Sequence, residues 1–255
     1  MVAMSRRPVT ACIITRNEEV NLPDCLASVK WADEIVVVDS RSTDRTREIA
    51  AAAGARVIER DFPGHIEQKN FAVEQAKNDW VLCIDADERL SPELAASVRT
   101  ALEDPAPAEA YEFARLTYHV GRPIRHGGWY PDRKTRLFDR RKARWGGRNP
   151  HDHVEVQGRT GRLAGDLHHF SYRSISDHLR QIDFFTDIAA KEKRARGERA
   201  SFARMALRPA WKFLRMFVLK AGFLDGLPGL IVATTGAYYV FLKYAKLREL
   251  ENRDG

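Results

Sequence analysis

Trp80-Val81-Leu82-Cys83-Ile84-Asp85-Ala86-Asp87-Glu88 runs from an unbroken apolar stretch directly into three carboxylates. A short apolar run of this kind is a buried strand, and buried strand ends in α/β sheets are where ligands sit. Clustered acids at such a place are costly unless a cation or a proton compensates them. Asp85 and Asp87, one residue apart, suit a hard divalent cation such as Mg²⁺ or Mn²⁺, which in turn suits a diphosphate. The competing reading is the start of a helix at Ser91-Pro92-Glu93, where acids are also favourable.

Working outward, the first hundred residues alternate strand and helix patterns. Val9–Thr15, Ile35–Asp39, Arg56–Ile58 and Trp80–Ile84 read as strands. Glu18–Lys30, the segment from Thr43 or Asp44 to Ala53, Glu67–Lys77 and residues 91–103 read as helices. Repeated βα units predict a mostly parallel sheet flanked by helices. From about Ala110 the pattern changes to short strands, Tyr111–Tyr118, Thr135–Asp139 and His153–Val156, in a Gly- and Arg-rich region expected to add antiparallel strands and loops. Ser174–Arg196 reads as a polar helix.

In a parallel sheet the strand ends share one edge, so Glu18, Asp39, Asp85 and Asp87 are expected together. Carboxylates there can bind ribose hydroxyls and a base N–H while a metal handles the phosphates. Neither GxGxxG nor GxxxxGK[ST] occurs, so neither a dinucleotide fingerprint nor a P-loop is supported.

Charge divides the chain. The formal net charge is +7, but residues 191–220 hold ten Lys/Arg and two Asp/Glu, while residues 1–190 sum to −1. A uniformly basic nucleic-acid binder has a different distribution, and no nucleic acid is expected as a partner. Within the basic segment, Lys212, Arg215 and Lys220 share one arc of a helix, and Trp211, Phe213, Leu214, Phe217, Val218 and Leu219 fill much of the remainder. Leu227–Leu242 is sixteen residues without a charge, short of the roughly 20 that span a bilayer. This pattern fits an interfacial helical pair on an anionic membrane surface. The alternative is a hairpin packed on the protein's own core. The expected domains are 1–190, the α/β body, and 191–255, a basic amphipathic helical extension. Cys12, Cys25 and Cys83 show no metal spacing and fit a reducing compartment, and Met1–Pro8 lacks the apolar core of a secretion signal.

Thr15-Arg16-Asn17-Glu18-Glu19, Trp31 through Ser40, Gln68-Lys69-Asn70 and Asp85-Ala86-Asp87-Glu88 resemble glycosyltransferase family 2. His126–Asp132, Arg136-Leu137-Phe138, His169-Phe170-Ser171-Tyr172, Gly222–Gly226 and Lys243–Leu247 resemble, within it, the branch of lipopolysaccharide core β-1,4-glucosyltransferases. The resemblance covers essentially the whole chain. It implies a GT-A fold and an inverting transfer from a nucleoside-diphosphate sugar, UDP-glucose first among donors, to a lipopolysaccharide-core or other surface-glycolipid acceptor. A polyprenyl-linked acceptor is the alternative. The implied place is the inner face of the bacterial cytoplasmic membrane, as a peripheral protein. By matching position, Thr15, Asn17, Glu18 and Asp39 would hold the nucleoside, Lys69 would face the nucleotide, and Asp85 and Asp87 would form the metal-binding DxD.

Leaving of a nucleoside diphosphate develops negative charge that Mg²⁺ or Mn²⁺ would stabilise, and inversion needs a base beside the acceptor hydroxyl. Relatives carry His-Glu in the segment where this chain has Asn149-Pro150-His151-Asp152-His153, which makes Asp152 the expected base, with a shorter side chain than the relatives' Glu, and Glu155 the fallback. His169, with His168 beside it, is a candidate for the metal or diphosphate. Arg133 and Arg136 suit phosphates. Trp129 and Tyr130 suit stacking on a sugar or core packing. Arg41 stands where relatives often have glycine, so either this turn differs or Arg41 reaches the nucleotide. A zinc hydrolase built on His151, His153 and His169 is the competing activity. It lacks HExxH-like spacing and leaves the strand-end acids unexplained.

Overall fold

The structure is a computed structural model that describes residues 6–148 and 151–253. Its first segment is β1 (Val9–Thr15), α1 (Leu22–Val29), β2 (Glu34–Asp39), α2 (Thr46–Ala52), β3 (Arg56–Glu59), α3 (His65–Glu74) and β4 (Trp80–Asp85). The four strands pair in parallel in the order β3-β2-β1-β4. β1, β2 and β4 are largely buried because both faces are covered, whereas the edge strand β3 is half-exposed. Val9, Ala11, Ile13, Val37, Leu82 and Ile84 pack on one face with Leu22, Leu26 and Val29 of α1. Cys12, Val36, Val38, Val81 and Cys83 pack on the other with Ala72 and Val73 of α3. Cys12 and Cys83 are thus core residues.

The chain continues with β5 (Glu88–Leu90), α4 (Pro92–Glu103), β6 (Ala110–His119), β7 (Arg122–Pro123), β8 (Asp132–Asp139), β9 (Ala143–Arg148), β10 (His151–Val156) and β11 (Thr160–Tyr172). The sheet extends beyond β4 as β8-β6-β11-β5, with β4–β8, β8–β6 and β11–β5 antiparallel. The α/β architecture is as expected, and the antiparallel strands expected after Ala110 make the complete sheet mixed. β9 and β10 form a separate antiparallel hairpin. Ser91 caps α4 by accepting from Leu94 N at 3.1 Å, with Pro92 in the first turn. The helix therefore begins after Glu88, which lies in a strand.

Two compact units result: the residues up to Arg115 with Asp132–His169, and Leu116–Pro131 with Phe170 onward. They are not divided at residue 190, where the charge changes. The second unit contains α5 (Ile175–Ala195), α6 (Phe202–Leu214), a π turn at Arg215–Leu219, a 3₁₀ turn at Gly222–Asp225 and α7 (Gly226–Arg253). α7 packs on both α5 and α6. Lys246 ties it to Asp183 and Asp187 at 2.7 Å each. No single helix among the described residues is long and apolar enough to cross a membrane; Phe202–Leu219 and Gly222–Asn252 reach that length and apolarity only together, as a pair bent by 70°.

Candidate active site

The parallel register sets Thr15 beside Asp39 and Ile14 beside Asp85, so the strand ends share one edge. A pocket of about 400 Å³ opens there, lined by Ile14, Thr15, Arg16, Glu18, Ser40, Phe62, His65, Asp85, Ala86, Asp87 and His169. Thr15 is buried, and its Oγ1 has no partner among the described residues. A buried hydroxyl in that state is costly unless water or a ligand in the pocket completes it.

The acids of the 85–88 run separate into two roles. Asp85 accepts from Arg136 Nη2 at 2.9 Å and faces Lys69 Nζ at 3.4 Å. Glu88, fully buried, accepts from Arg136 Nη2 at 3.0 Å, from Arg115 at 3.4 Å and from the Asp85 N–H at 3.0 Å. Burial alone would raise the Asp85 carboxyl, but Lys69, Arg136, His169 and Arg115 hold it well below the usual carboxylate range. The same acids, Glu88 foremost, outweigh burial and keep Arg136 firmly charged. The indole of Trp145 lies 4.4 Å from Lys69 Nζ and 5.1 Å from the Arg136 guanidinium carbon. Arg136 is thus engaged by Asp85 and Glu88.

Asp87 takes the other role. β11 pairs with β5 so that His169 opposes Glu88, and this brings His169 Nε2 to 3.2 Å from Asp87 Oδ2 at the pocket wall. One carboxylate and one imidazole at the pocket wall would offer two donors to a divalent cation, the carboxylate being the one that suits Mg²⁺ or Mn²⁺. Mg²⁺ usually takes one or two protein ligands and completes its shell with phosphate and water. The donor set therefore fits a cation that arrives with a diphosphate. Among the described residues no group of three or more His, Cys, Asp or Glu is placed to hold a metal alone. His153 is exposed on β10, and the His151 side chain lies outside the described residues.

The remaining expected residues sit as follows. Glu18 lines the pocket and its Oε2 accepts from Asn21 at 2.9 Å. Asn17 has φ 55°, a conformation asparagine tolerates. It accepts from the Thr43 N–H at 2.8 Å, and its own N–H donates to Ser42 Oγ at 2.8 Å, which fastens the loop after β1 to the loop after β2. Asp39 is not among the lining residues. It is fully buried, and both its oxygens are taken by the Ser42 N–H and hydroxyl. Its neighbour Ser40 reaches the pocket instead, with Oγ accepting from Gln68 at 3.1 Å. Arg41 has φ 56° and turns outward to Asp61.

Lys69 donates to Asp152 Oδ2 at 2.7 Å. Next to it, Asn70 donates to the Trp145 carbonyl at 2.9 Å and accepts from the Trp145 N–H at 3.0 Å. Helix α3 therefore holds the β9–β10 hairpin that carries Asp152. Glu155 is exposed on the same hairpin beside Arg144. Trp129 belongs to the second unit, packed near Met216 and edge-on to His119 and His178. Sequence reasoning missed Phe62 and His65, whose rings meet edge-on 5.0 Å apart at the pocket. They lie in an unpatterned loop and its following helix start, which gives no periodic signal.

An α/β sheet that delivers hydroxyls, carboxylates and an imidazole into one pocket at the carboxyl ends of its strands has the place and the donor set of a polar-ligand site. Residues 10–165 match the model of Glycosyl transferase family 2, and the chain belongs to that family. It is 33% identical to an uncharacterised glycosyltransferase of Rickettsia bellii, over 98% of this chain and 89% of that one. It is 32% identical to the lipopolysaccharide core biosynthesis glycosyltransferase LpsC of Rhizobium meliloti, over 94% and 92%. Among solved structures, glucosyl-3-phosphoglycerate synthase of Mycobacterium tuberculosis, in complex with Mn²⁺, UDP-glucose and phosphoglyceric acid, aligns with a TM-score of 0.37 at 24% identity over 45% of each chain. The enzyme is a glycosyltransferase, and this displaces the zinc-hydrolase alternative.

Proposed function

We propose that the chain transfers a hexose, with inversion, from a nucleoside-diphosphate sugar to a hydroxyl of a lipopolysaccharide-core or related surface-glycolipid acceptor, at the inner face of the cytoplasmic membrane. UDP-glucose is the first donor to test. The observation that carries the donor half is the Asp87–His169 pair on the edge pocket, next to the unpartnered Thr15 hydroxyl. The 32% identity with LpsC supports the acceptor class.

Asp87 and His169 would hold Mg²⁺ or Mn²⁺, which when bound neutralises charge on the leaving diphosphate. Thr15 and Ser40 offer hydroxyls, and Phe62 an apolar face, to the nucleoside. Asp85 stays ionised between Lys69 and Arg136 and fixes the strand end from which Asp87 projects. Asp152 is the base in this reading. Lys69 occupies its Oδ2 and orients the carboxylate, so Oδ1 is the atom that would take the acceptor proton. A base needs hydrogen-bond reach of that proton, and the hairpin sets the reach.

The test is release of nucleoside diphosphate by full-length protein from UDP-, GDP- and dTDP-sugars, with and without Mg²⁺ or Mn²⁺, followed by mass spectrometry. The expected result is metal-dependent turnover of UDP-glucose that Asp87→Asn abolishes. Turnover indifferent to both metal and Asp87→Asn would overturn the metal assignment. Failure of every donor in the presence of core-oligosaccharide acceptors would overturn the reaction.

A further inference from the structure

Helix α6 has two apolar faces, and the protein's own fold uses one of them. On the used face, Met216 in the π turn is buried with Ile124, Val232 and Ala233, and Phe213 and Phe217 pack against that group. At about 100° per residue, Leu207, Trp211 and Leu214 fall within an arc of about 60° on the opposite side. They are 68%, 56% and 42% exposed, and Val218 continues the stripe at 48%. The bend that follows adds Leu219, Phe223, Leu224 and Leu227, between 51% and 68% exposed. An apolar surface this continuous marks an interaction site.

The charges beside it say what covers it. Residues 199–224 contain six Lys/Arg and no Asp or Glu. Arg204, Arg208 and Arg215 lie along one edge of the apolar stripe at spacings of four and seven, which keeps them on one side of the helix; Arg208 is tied inward to the Tyr244 hydroxyl of α7, and Arg215 is exposed. Asp225, the first acid after them, is turned inward, accepting from the N–H groups of Arg125 and His126 and from His126 Nδ1 at 2.8 Å. Its side chain is 8% exposed. A surface with leucines and phenylalanine at the tip, arginines behind them and its one acid withdrawn is complementary to an apolar layer topped by anions.

We propose that the outer face of α6 and the bend at residues 218–227 form a monotopic wedge that inserts into the headgroup region of an anionic phospholipid bilayer without crossing it. The wedge deepens the glycolipid-acceptor reading, on which its biological use rests. Neither helix alone is long and apolar enough to cross, and the pair is bent by 70°; interfacial helices of this character bind by buried apolar area plus attraction to anionic lipid.

The test is flotation of full-length protein with phosphatidylcholine vesicles, with and without phosphatidylglycerol. Wild type is expected to float with the anionic vesicles. Leu219→Glu/Leu224→Glu should remove flotation altogether. Arg204→Ala/Arg215→Ala should weaken partitioning about thirtyfold on anionic vesicles, with little change on neutral ones. Circular dichroism and UDP binding, both expected to match wild type in each variant, separate this from misfolding. Absence of flotation, flotation insensitive to both variant pairs, or a dimer in solution that Leu219→Glu/Leu224→Glu dissociates would each overturn the wedge. Lost flotation with intact donor turnover overturns the wedge alone. Intact flotation without donor turnover overturns the transferase reading alone.

Discussion

Replacing Asn70 by alanine removes the two hydrogen bonds through which α3 holds the backbone of Trp145. In an antiparallel hairpin each residue's N–H and C=O point together, either to the partner strand or away from it. Those of Trp145 point to Asn70, whose side-chain amide serves as a one-residue neighbouring strand. Trp145 is buried, so its stranded donor and acceptor would each cost about 1–3 kcal/mol, least where water replaces the lost bond. For the two groups together the attachment of the hairpin should weaken by about 2–6 kcal/mol. If catalysis needs Asp152 held by this hairpin, about 3 kcal/mol of that loss corresponds to a fall in kcat of roughly a hundredfold, at about 1.4 kcal/mol per tenfold. The donor KM should hardly move, because the pocket residues lie on other elements. Initial rates over donor concentration, with amide exchange of residues 143–156, measure both effects. Asn70→Gln, one methylene too long, should not restore the geometry. Wild-type kcat together with faster hairpin exchange would refute the link between hairpin and base. Wild-type exchange would refute the clamp itself.

Other outcomes follow from the same geometry. Glu88→Gln removes the fully buried carboxylate that Arg136 and Arg115 share, leaving them Asp85 and Asp132, and should destabilise the chain by about 2 kcal/mol, the worth of hydrogen bonds to a charged group; an unchanged denaturation midpoint would contradict it. Burial, with His119 beside it, pushes the His178 imidazole down to about 4. The folded state therefore binds fewer protons than the unfolded one between about pH 6.5 and 4. The stabilisation is complete above that window and is lost as pH falls through it, by about 2 kcal/mol at pH 5. His178→Phe should flatten this part of the stability profile; an equally steep profile would assign the slope elsewhere.

The parallel half of the fold was legible because its strands are covered on both faces. Val9–Thr15, Ile35–Asp39 and Trp80–Ile84 read as unbroken apolar runs, and their ends could then be placed on one edge. β11 was not legible as a strand. Thr160–Tyr172 mixes Gly161, Gly165, charged and apolar residues and is mostly half-exposed, so neither periodicity emerges. The resemblance, not periodicity, pointed to His169. Asp39 shows a different limit. Its place at a strand end was readable, but its burial under Ser42 depends on the turn through Arg41 at φ 56°, which a residue string does not disclose. The role of Glu88 was hidden because its partners Arg115 and Arg136 lie 27 and 48 residues away on β6 and β8. Asn70 was quoted within a motif, but its partner is a backbone, which carries no residue-type signal.

The central claim is that Asp87 and His169 form the metal–diphosphate end of the edge pocket. Water-proton relaxation of Mn²⁺ titrated into full-length protein, with and without UDP, measures it without relying on turnover. The account predicts weak Mn²⁺ binding alone, strong binding with UDP, and loss of the strong phase in both Asp87→Asn and His169→Ala. Undiminished UDP-dependent Mn²⁺ binding in both folded variants would contradict it.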